Sequence, residues 1–168
     1  MKNFKFRGKV ITVTRKRARL PNGHVSELDL VEHPGAVLLV PFVNAREILL
    51  LRQYRPVIGK YLYELPAGTL KPKESALSCA QRELAEETGY AARKISLLGR
   101  IYPVPGYSTE IIFIYQATQL IEKALPKEPD EVIAVHRFGK ARVVEMFKRG
   151  QISDAKTICA LAFCGWLN

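Results

Sequence analysis

The stretch from Gly68 to Tyr90 reads GTLKPKESALSCAQRELAEETGY and predicts one helix between two loops. Ser75 is the predicted N-cap, because its hydroxyl can accept a bond from a free amide of the first turn. Gly89 is the predicted stop, since glycine readily adopts the left-handed conformation that ends many helices. Three apolar residues recur at helical spacing and predict the buried face: Leu77, Ala80 and Leu84.

Three glutamates of this helix predict a metal site: Glu83, Glu86 and Glu87. At roughly 100° per residue they fall within an arc of about 100° beside the apolar face. Anions are disfavoured in the last turns of a helix and repel each other at i,i+4, so this patch needs positive charge. Arg82 can pair with Glu86, but one guanidinium does not neutralise three acids, whereas Mg²⁺ prefers a few carboxylates, waters and substrate phosphates. The alternative is a solvated acidic helix face. This is the weaker interpretation, because Gly68, Glu74 and Arg82 also stand at fixed spacings from the three glutamates.

The register of these residues, G-x5-E-x7-R-E-U-x-E-E-x-G-U with U bulky and apolar, resembles the Nudix box without any departure. Leu84 and Tyr90 fill the two U positions. The resemblance implies a hydrolase that cleaves a nucleoside diphosphate linked to another moiety. Its cofactor would be Mg²⁺, for which Mn²⁺ could substitute. It also implies an α+β fold, an α/β/α sandwich around a mixed sheet, preceded by a small N-terminal antiparallel β hairpin region.

The same resemblance assigns the metal ligands. Glu83 and Glu87 would be the main ligands, and Glu86 would share further ions. The main-chain carbonyl of Ala67 would add one more oxygen. These assignments are carried over from the family pattern onto the matching positions of this chain.

Other residues of the box receive supporting roles from the resemblance. Arg82, which we also count among the catalytic residues, and Glu74 would hold the box together. Gly68 would permit a tight turn that aims the Ala67 carbonyl inward, and Gly89 would end the helix.

Residues outside the box resemble the ADP-ribose pyrophosphatase subfamily. Pro105 lies sixteen positions beyond Gly89 and opens the run PGYSTE, while RQYRP and ELPAG precede the box. The candidate substrate-binding residues are Arg52, Arg55, Glu64, Ser108 and Glu110. An arginine could clamp a phosphate through a charge-assisted fork, and Ser108 and Glu110 could bond to ribose hydroxyls. The alternatives are strand-end arginines paired with Glu64 and an ordinary turn at Pro105.

Hydrolysis needs a base that positions and deprotonates the attacking water. In the resembled subfamily this carboxylate comes from a mobile acidic loop after the box. The corresponding run here is LPKEPDE, residues 125–131, and its candidates are Glu131 and then Glu128. The alternative for this run is a solvated acidic loop.

Composition favours one compact enzyme domain. A chain of 168 residues with 48% hydrophobic content is long enough for one core. No run approaches the roughly 18 apolar residues of a membrane span, and the first residues lack the apolar core of a signal peptide, so we expect no membrane association and a cytoplasmic location. The three cysteines, Cys79, Cys159 and Cys164, show no metal-ligand spacing and are interpreted as buried small hydrophobes.

The formal net charge of +10 leaves several partners open. The densest basic run, residues 15–19, has no interleaved aromatic residues for stacking bases and is interpreted as a solvated hairpin edge, so nucleic acid is not the expected partner. The expected substrate is a small-molecule nucleoside diphosphate sugar, ADP-ribose above all, cleaved to AMP and ribose 5-phosphate. The alternatives are GDP-mannose, a capped RNA end, or a non-catalytic RNA-binding Nudix module.

The expected domain organisation has two parts. Residues 1–33 would form an N-terminal strand region, and residues 34–168 the Nudix domain. The resembled proteins are homodimers whose N-terminal strands complete the nucleobase pocket of the partner, so we expect a homodimer. Phe4 and Phe6 could stack on a base, although core packing is the more ordinary use of each.

Overall fold

The structure, a computed structural model, describes residues 5–126 and 131–167. It therefore leaves Phe4 and Glu128 outside the described residues. Three α-helices are present in these ranges: α1 Ala76–Thr88, α2 Lys140–Lys148 and α3 Ala155–Phe163. The strands are β1 Lys5–Arg7, β2 Thr12–Arg19, β3 Val25–Glu32, β4 Ala36–Asn44, β5 Glu47–Arg55, β6 Lys60–Glu64, β7 Ala67–Thr69, β8 Tyr90–Ile101, β9 Ile112–Glu122 and β10 Ile133–Gly139. Among the helices of these residues, none has the length and apolar character needed to cross a membrane.

A small antiparallel sheet forms the N-terminal part, in the order β1-β2-β3. A turn joins β2 to β3, with Gly23 in a left-handed conformation at φ 84°. The basic run on β2 faces acids on β3: Arg15 bonds Asp29 at 2.8 Å, and a lysine and a second arginine pair in the same way. These pairs are exposed, so each contributes little to stability. They nevertheless neutralise most of the densest basic run.

The second sheet has seven strands and confirms the expected mixed architecture. Its main path is β10-β5-β4-β9-β8, with β6 added to β5 and β7 added to β4. The pair β4 and β9 is parallel, and the other pairs are antiparallel. The central position of β4 explains its nearly continuous apolar sequence AVLLVPFV, since both of its faces are buried.

Helices cover both faces of this sheet, which gives the predicted sandwich. Successive side chains of a strand point to opposite faces. Val37 and Leu39 on β4 therefore pack with Ala80 and Leu84 of α1. Leu38 and Val40 belong to a second core that includes residues of α2 and α3. The sheet thus holds α1 on one side and the C-terminal helices on the other.

Two predictions about burial were wrong, and one run of the sequence is divided between two strands. The run ELPAG is divided between two strands, since β6 ends at Glu64 and β7 begins at Ala67: Pro66 has no N–H for a ladder, and the chain changes neighbours there, from β5 to β4. Leu77 is 45% exposed and does not belong to the buried face of α1. Of the three cysteines, Cys79 is fully buried as expected, while Cys159 and Cys164 are only half-buried.

The N-terminal sheet is bonded to the loop between β8 and β9. The Val31 amide donates to the Tyr107 carbonyl at 2.7 Å, and the Thr109 amide donates to the Val31 carbonyl at 3.0 Å. The amide of His33 donates to the Thr109 hydroxyl at 3.0 Å. These bonds fix the position of the run that contains Ser108 and Glu110.

Candidate active site

Helix α1 begins and ends where the sequence predicts. The Ser75 hydroxyl accepts from the amide of Ser78 at 3.1 Å, which satisfies one free donor of the first turn. Gly89 closes the helix in the left-handed conformation, at φ 78°. The last turns carry the three glutamates: Glu83 and Glu87 are buried and Glu86 is half-buried.

Arg82 joins the acidic residues of the box. Its Nε and Nη2 donate to the Glu74 carboxylate at 2.9 and 3.0 Å. Its Nη1 donates to Glu83 at 2.6 Å and to Glu86 at 2.9 Å. The guanidinium lowers the pKa of Glu74 to about 2, mainly through these hydrogen bonds. Glu74 also accepts from the Lys71 amide at 2.9 Å, so Arg82 ties the loop before the helix to the helix itself.

Strand β7 lies directly against the buried carboxylates. The Ala67 amide donates to Glu87 Oε2 at 2.8 Å. A Cβ placed on Gly68 would lie 1.7 Å from Glu83 Oε1 and 1.9 Å from Glu83 Cδ. The expected tight turn at Gly68 was wrong, because this residue is part of β7, pairs with Val37 and has no left-handed φ. Glycine is needed there because the Glu83 carboxylate occupies the space of a side chain.

The buried carboxylates are electrostatically unfavourable in their ionised form. Burial raises the pKa of Glu83 to about 7, although Arg82 opposes the shift. Burial, followed by the charge of Glu83, raises the pKa of Glu87 well above its ordinary value. The charge of Glu131 raises both pKa values further. Arg82 alone therefore does not compensate this group of acids.

This donor set fits a hard divalent cation. Carboxylate oxygens are the ligands that Mg²⁺ and Mn²⁺ prefer, and a cation beside Glu83 and Glu87 would remove the penalty that raises their pKa values. Within residues 5–126 and 131–167, no three His, Cys, Asp or Glu side chains already form an ion-binding group. Arg82 donates a hydrogen bond to both Glu83 and Glu86. An ion that binds the oxygens of these two residues would therefore compete with Arg82 for them.

Chelator-treated protein should lose stability as pH rises, and Glu83→Gln should remove part of this loss. The folded-state pKa of Glu83 is raised from 4.5 to about 7, so the folded state binds more protons than the unfolded state between those values. The free energy of unfolding therefore falls as pH rises through this window. Thermal unfolding in excess chelator should give similar Tm values for wild type and Glu83→Gln at pH 4.5 and a higher Tm for the variant at pH 8.

Addition of Mg²⁺ at pH 8 should raise the Tm of the wild type, because an ion that binds only the folded state stabilises it. Equal Tm values for the two proteins at pH 8 without metal would contradict the electrostatic penalty assigned to Glu83.

A cleft of about 790 Å³ opens over the box. Its walls include Ala67, Gly68 and Glu83, together with Glu131 from the segment before β10 and Arg55 from the end of β5. The loop between β1 and β2 reaches the same cleft through Lys9 and Val10. The structure thus brings together the predicted base, one predicted phosphate-binding arginine and a principal predicted ligand, while Glu128 lies outside the described residues.

Arg55 is held by Glu64 in this cleft. Its Nε donates to Glu64 Oε1 at 2.7 Å and its Nη2 donates to Glu64 Oε2 at 2.6 Å. Glu64 is fully buried, and Lys156 Nζ also donates to its Oε2 at 2.5 Å. The alternative interpretation, a strand-end Arg55 paired with Glu64, is therefore present in the structure. Arg55 nevertheless lines the cleft. Glu64 is occupied by these two cations, so a direct substrate contact for it stays a prediction.

The remaining substrate-binding candidates are not among the described walls of the cleft. Arg52 is three residues before Arg55 and so on the opposite face of β5, where its guanidinium lies 4.0 Å from the centre of the Tyr61 ring. Ser108 and Glu110 lie in the loop fixed by β3. Ser108 Oγ accepts from the Glu110 amide at 3.1 Å, and neither residue belongs to the described walls of the cleft. Their substrate contacts stay predictions.

Two lysines near the cleft were not predicted from the sequence. Lys9 reaches the cleft from the N-terminal sheet, and Lys156 reaches Glu64 from the start of α3. Lys156 and Glu64 are 92 residues apart, so no local spacing could have linked them. Asp154 is the N-cap of α3, and the run Asp-x-Lys-Thr at this helix start is the one local signal in the sequence.

Comparison with known proteins agrees with this geometry. The NUDIX domain family matches residues 32–161. An ADP-ribose pyrophosphatase of Bacillus subtilis (strain 168) is 32% identical over 160 residues, covering 94% of this chain and 86% of that protein. A methanol dehydrogenase activator of Bacillus methanolicus is 34% identical over 160 residues, with the same two coverages.

The fold is shared as well. A crystal structure of an ADP compounds hydrolase superposes with a TM-score of 0.82 and covers 99% of this chain and 95% of that one. Its sequence identity is 24%, so this likeness concerns the fold. With the intact box around a buried pair of carboxylates and the match over residues 32–161, this chain belongs to the Nudix family, as a Nudix hydrolase.

Proposed function

We propose that the protein hydrolyses the diphosphate bridge of ADP-ribose, or of a related nucleoside diphosphate sugar, to AMP and ribose 5-phosphate with Mg²⁺ as cofactor. The observation that carries the proposal is the buried pair Glu83 and Glu87 beside a cleft that also contains Arg55 and Glu131. A cation site, an anion-binding arginine and a carboxylate base are the three parts that hydrolysis of a P-O-P bridge requires. The similar ADP-ribose pyrophosphatase of Bacillus subtilis supports the choice of sugar nucleotide.

The roles follow from position and charge. Glu83 and Glu87 would hold Mg²⁺, with Glu86 and the Ala67 carbonyl as further donors. When bound, the ion would supply charge stabilisation for the phosphate oxygens and would lower the pKa of water. Glu131 would position the attacking water and accept its proton. Arg82 would keep the glutamates in place through its bonds to Glu74, Glu83 and Glu86.

Arg55 would bind one phosphate. A guanidinium offers five N–H donors in a planar fork, and Arg55 uses Nε and one Nη2 donor on Glu64. The remaining donors suit an oxyanion in the cleft. Ser108 and Glu110 would contact ribose hydroxyls where a bound substrate extends from the cleft to the loop that β3 fixes.

We also propose a homodimer in which the N-terminal region, residues 1–33, meets the partner's Nudix domain. The N-terminal sheet and its first loop leave large apolar side chains at the surface, among them Phe6, Val10, Val25 and Leu28. The prediction that Phe6 packs in the core of its own chain was therefore wrong, since this residue is 54% exposed. A second chain would cover such side chains and bring base-reading residues to the site.

A non-catalytic RNA-binding role is less well supported. All box carboxylates are present, and Asp29, Glu27 and Glu32 neutralise the basic run of β2. A single-stranded RNA site would need basic residues that are open to phosphate, with aromatic residues between them. The excess of positive charge therefore does not favour this function.

Turnover of a substrate panel tests the proposal. The wild-type protein with Mg²⁺ should cleave ADP-ribose with a higher kcat/KM than GDP-mannose or capped RNA, measured as phosphate released by a coupled phosphatase. A preference for GDP-mannose would keep the site chemistry and replace the substrate. Turnover of none of the three, together with RNA binding, would overturn the enzyme proposal for these substrates.

Replacement of Gly68 by alanine should abolish most turnover while the fold survives. The new Cβ would overlap the Glu83 carboxylate, which is the far end of a side chain and can move away. Strand β7 can therefore stay paired while the predicted ligand is displaced. Steady-state turnover should fall by roughly 10²-fold or more, as expected when a reacting group is misplaced by about 1 Å.

The matched control is Gly139→Ala. A Cβ at Gly139 meets only the Arg46 carbonyl, at an ordinary 3.7 Å. This variant should keep wild-type turnover, and circular dichroism should show both variants folded. Full turnover in Gly68→Ala would contradict the claim that turnover depends on the position of the Glu83 carboxylate beside β7.

A further inference from the structure

The guanidinium of Arg55 has one side toward the cleft and another bound within the protein. Arg55 lines the cleft that contains Glu83 and Glu131, and its side chain is 38% exposed. Its Nε and Nη2 form a two-point contact with Glu64. A long arginine side chain has many conformations, so this contact determines where its free donors lie.

Glu64 is fully buried between two cations. Its Oε2 accepts from both Arg55 Nη2 at 2.6 Å and Lys156 Nζ at 2.5 Å. Burial alone would raise the pKa of Glu64, but the bonds and charges of Arg55 and Lys156 together hold it below its ordinary value. A buried carboxylate stays ionised only with such partners. One negative charge is therefore shared by two positive ones.

Lys156 is itself fixed at the start of α3. Its Nζ donates to Asp154 Oδ1 at 2.7 Å. Asp154 Oδ2 accepts from the amide and the hydroxyl of Thr157 at 3.0 and 2.6 Å. The Thr157 hydroxyl also accepts from the Leu65 amide at 2.9 Å, next to Glu64. The first turn of α3 is thus bonded to the strand end that carries Glu64.

This arrangement has two consequences for Arg55. Lys156 holds the carboxylate in one orientation, so the Arg55 fork is preorganised instead of following a freely rotating partner. Lys156 also takes part of the negative charge of Glu64, so Arg55 keeps more of its attraction for another anion. Asp154 balances Lys156 in turn, so Arg55, Glu64, Lys156 and Asp154 sum to zero net charge when all are ionised, and Arg55 is the member that lines the cleft.

We propose that Lys156 is a positioning residue for the diphosphate substrate, acting through buried Glu64 on the cleft-facing guanidinium of Arg55. The inference rests on the proposed function, because the diphosphate is the anion that Arg55 would bind. It makes the start of α3 part of the substrate-binding apparatus although Lys156 is not among the described walls of the cleft. Asp154 contributes by holding the lysine.

The first test is the kinetics of Lys156→Met with ADP-ribose. The variant should raise KM by roughly fivefold to tenfold, the range expected for coupled members of one ion-pair network. Its kcat should stay within about twofold, because the contact serves binding in both the ground and transition states. Lys156→Arg should keep KM close to the wild-type value, since a guanidinium can bond to both Glu64 and Asp154. An unchanged KM in Lys156→Met would overturn the inference.

Lys140→Met is the matched control. Lys140 also donates from Nζ, to the Gly165 carbonyl at 2.7 Å near the end of α3, but it does not contact Glu64. It should leave KM unchanged. An equal rise in KM in this control would assign the effect to loss of positive charge in general and would overturn a specific role for Lys156.

A double-mutant cycle with Arg55→Ala separates positioning from a structural role. If Lys156 acts through Arg55, Lys156→Met should add little to the KM of Arg55→Ala. If the two effects on KM multiply, Lys156 acts independently and the inference fails.

Nitrogen-15 NMR of labelled arginine gives a readout that does not depend on turnover. The Arg55 Nε–H signal, assigned by its loss in Arg55→Ala, should be protected from exchange in the wild type and should exchange faster in Lys156→Met. An unchanged signal would overturn the inference even if ADP-ribose proves not to be a substrate. Absence of wild-type turnover with an Arg55 signal that depends on Lys156 would instead reject the proposed function and leave the positioning role standing.

Discussion

Glu87→Gln and Glu83→Gln should each abolish ADP-ribose turnover without unfolding the protein. Both carboxylates are buried, and the ionisation of each is disfavoured by burial and by the other acids. A glutamine keeps the shape of the side chain but removes the charge that would hold Mg²⁺. Loss of several kcal/mol of transition-state stabilisation corresponds to a fall in kcat/KM of about 10³-fold or more.

Stability should change in the opposite sense in the absence of metal. The Tm of either variant in chelator at pH 8 should equal or exceed that of the wild type, because a buried negative charge has been removed. Glu145→Gln is a suitable control, since Glu145 is a half-buried residue of α2, outside the described walls of the cleft, that is paired with Arg142 and Arg149. It should keep full turnover, whereas substantial turnover in both box variants would remove the metal assignment.

Glu131→Gln should lower kcat far more than it raises KM. Glu131 lies at the cleft and close enough to influence Glu83 and Glu87 electrostatically. A positioned general base contributes typically 10² to 10⁴-fold, so a fall of about this size in kcat is expected. Binding of the diphosphate by Arg55 and the metal would remain, which is why KM should change little.

Two variants complete this test. Glu122→Gln removes an exposed carboxylate at the end of β9, before the acidic segment, and should leave kcat unchanged. Glu128→Gln examines the second candidate. A normal kcat in Glu131→Gln together with a collapsed kcat in Glu128→Gln would transfer the role of base to Glu128.

The local features of the box could be predicted from the sequence because each depends on near neighbours. Ser75, Gly89 and the pair Arg82 and Glu86 are found as predicted, since capping and i,i+4 contacts act within a turn or two. The mixed sheet was expected from the family that the box resembles, and the apolar run of β4 fits a strand buried on both faces.

The features that the sequence did not predict depend on contacts between distant segments. Gly68 fits a tight turn in the sequence, but its actual constraint is the Glu83 carboxylate fifteen residues later. The position of Arg55 depends on Glu64 and Lys156, which only the folded chain brings together. Leu77 shows the same limit in another way, since helical spacing placed it on the apolar face but it stays 45% exposed.

ADP-ribose turnover by wild-type protein in Mg²⁺, in excess chelator and after Mg²⁺ is restored tests the central claim most directly. Separation of the products by chromatography should show AMP and ribose 5-phosphate with Mg²⁺, no product with chelator, and recovery when Mg²⁺ is added back. Equal turnover in chelator, or no cleavage of ADP-ribose in Mg²⁺ by folded protein, would contradict the account.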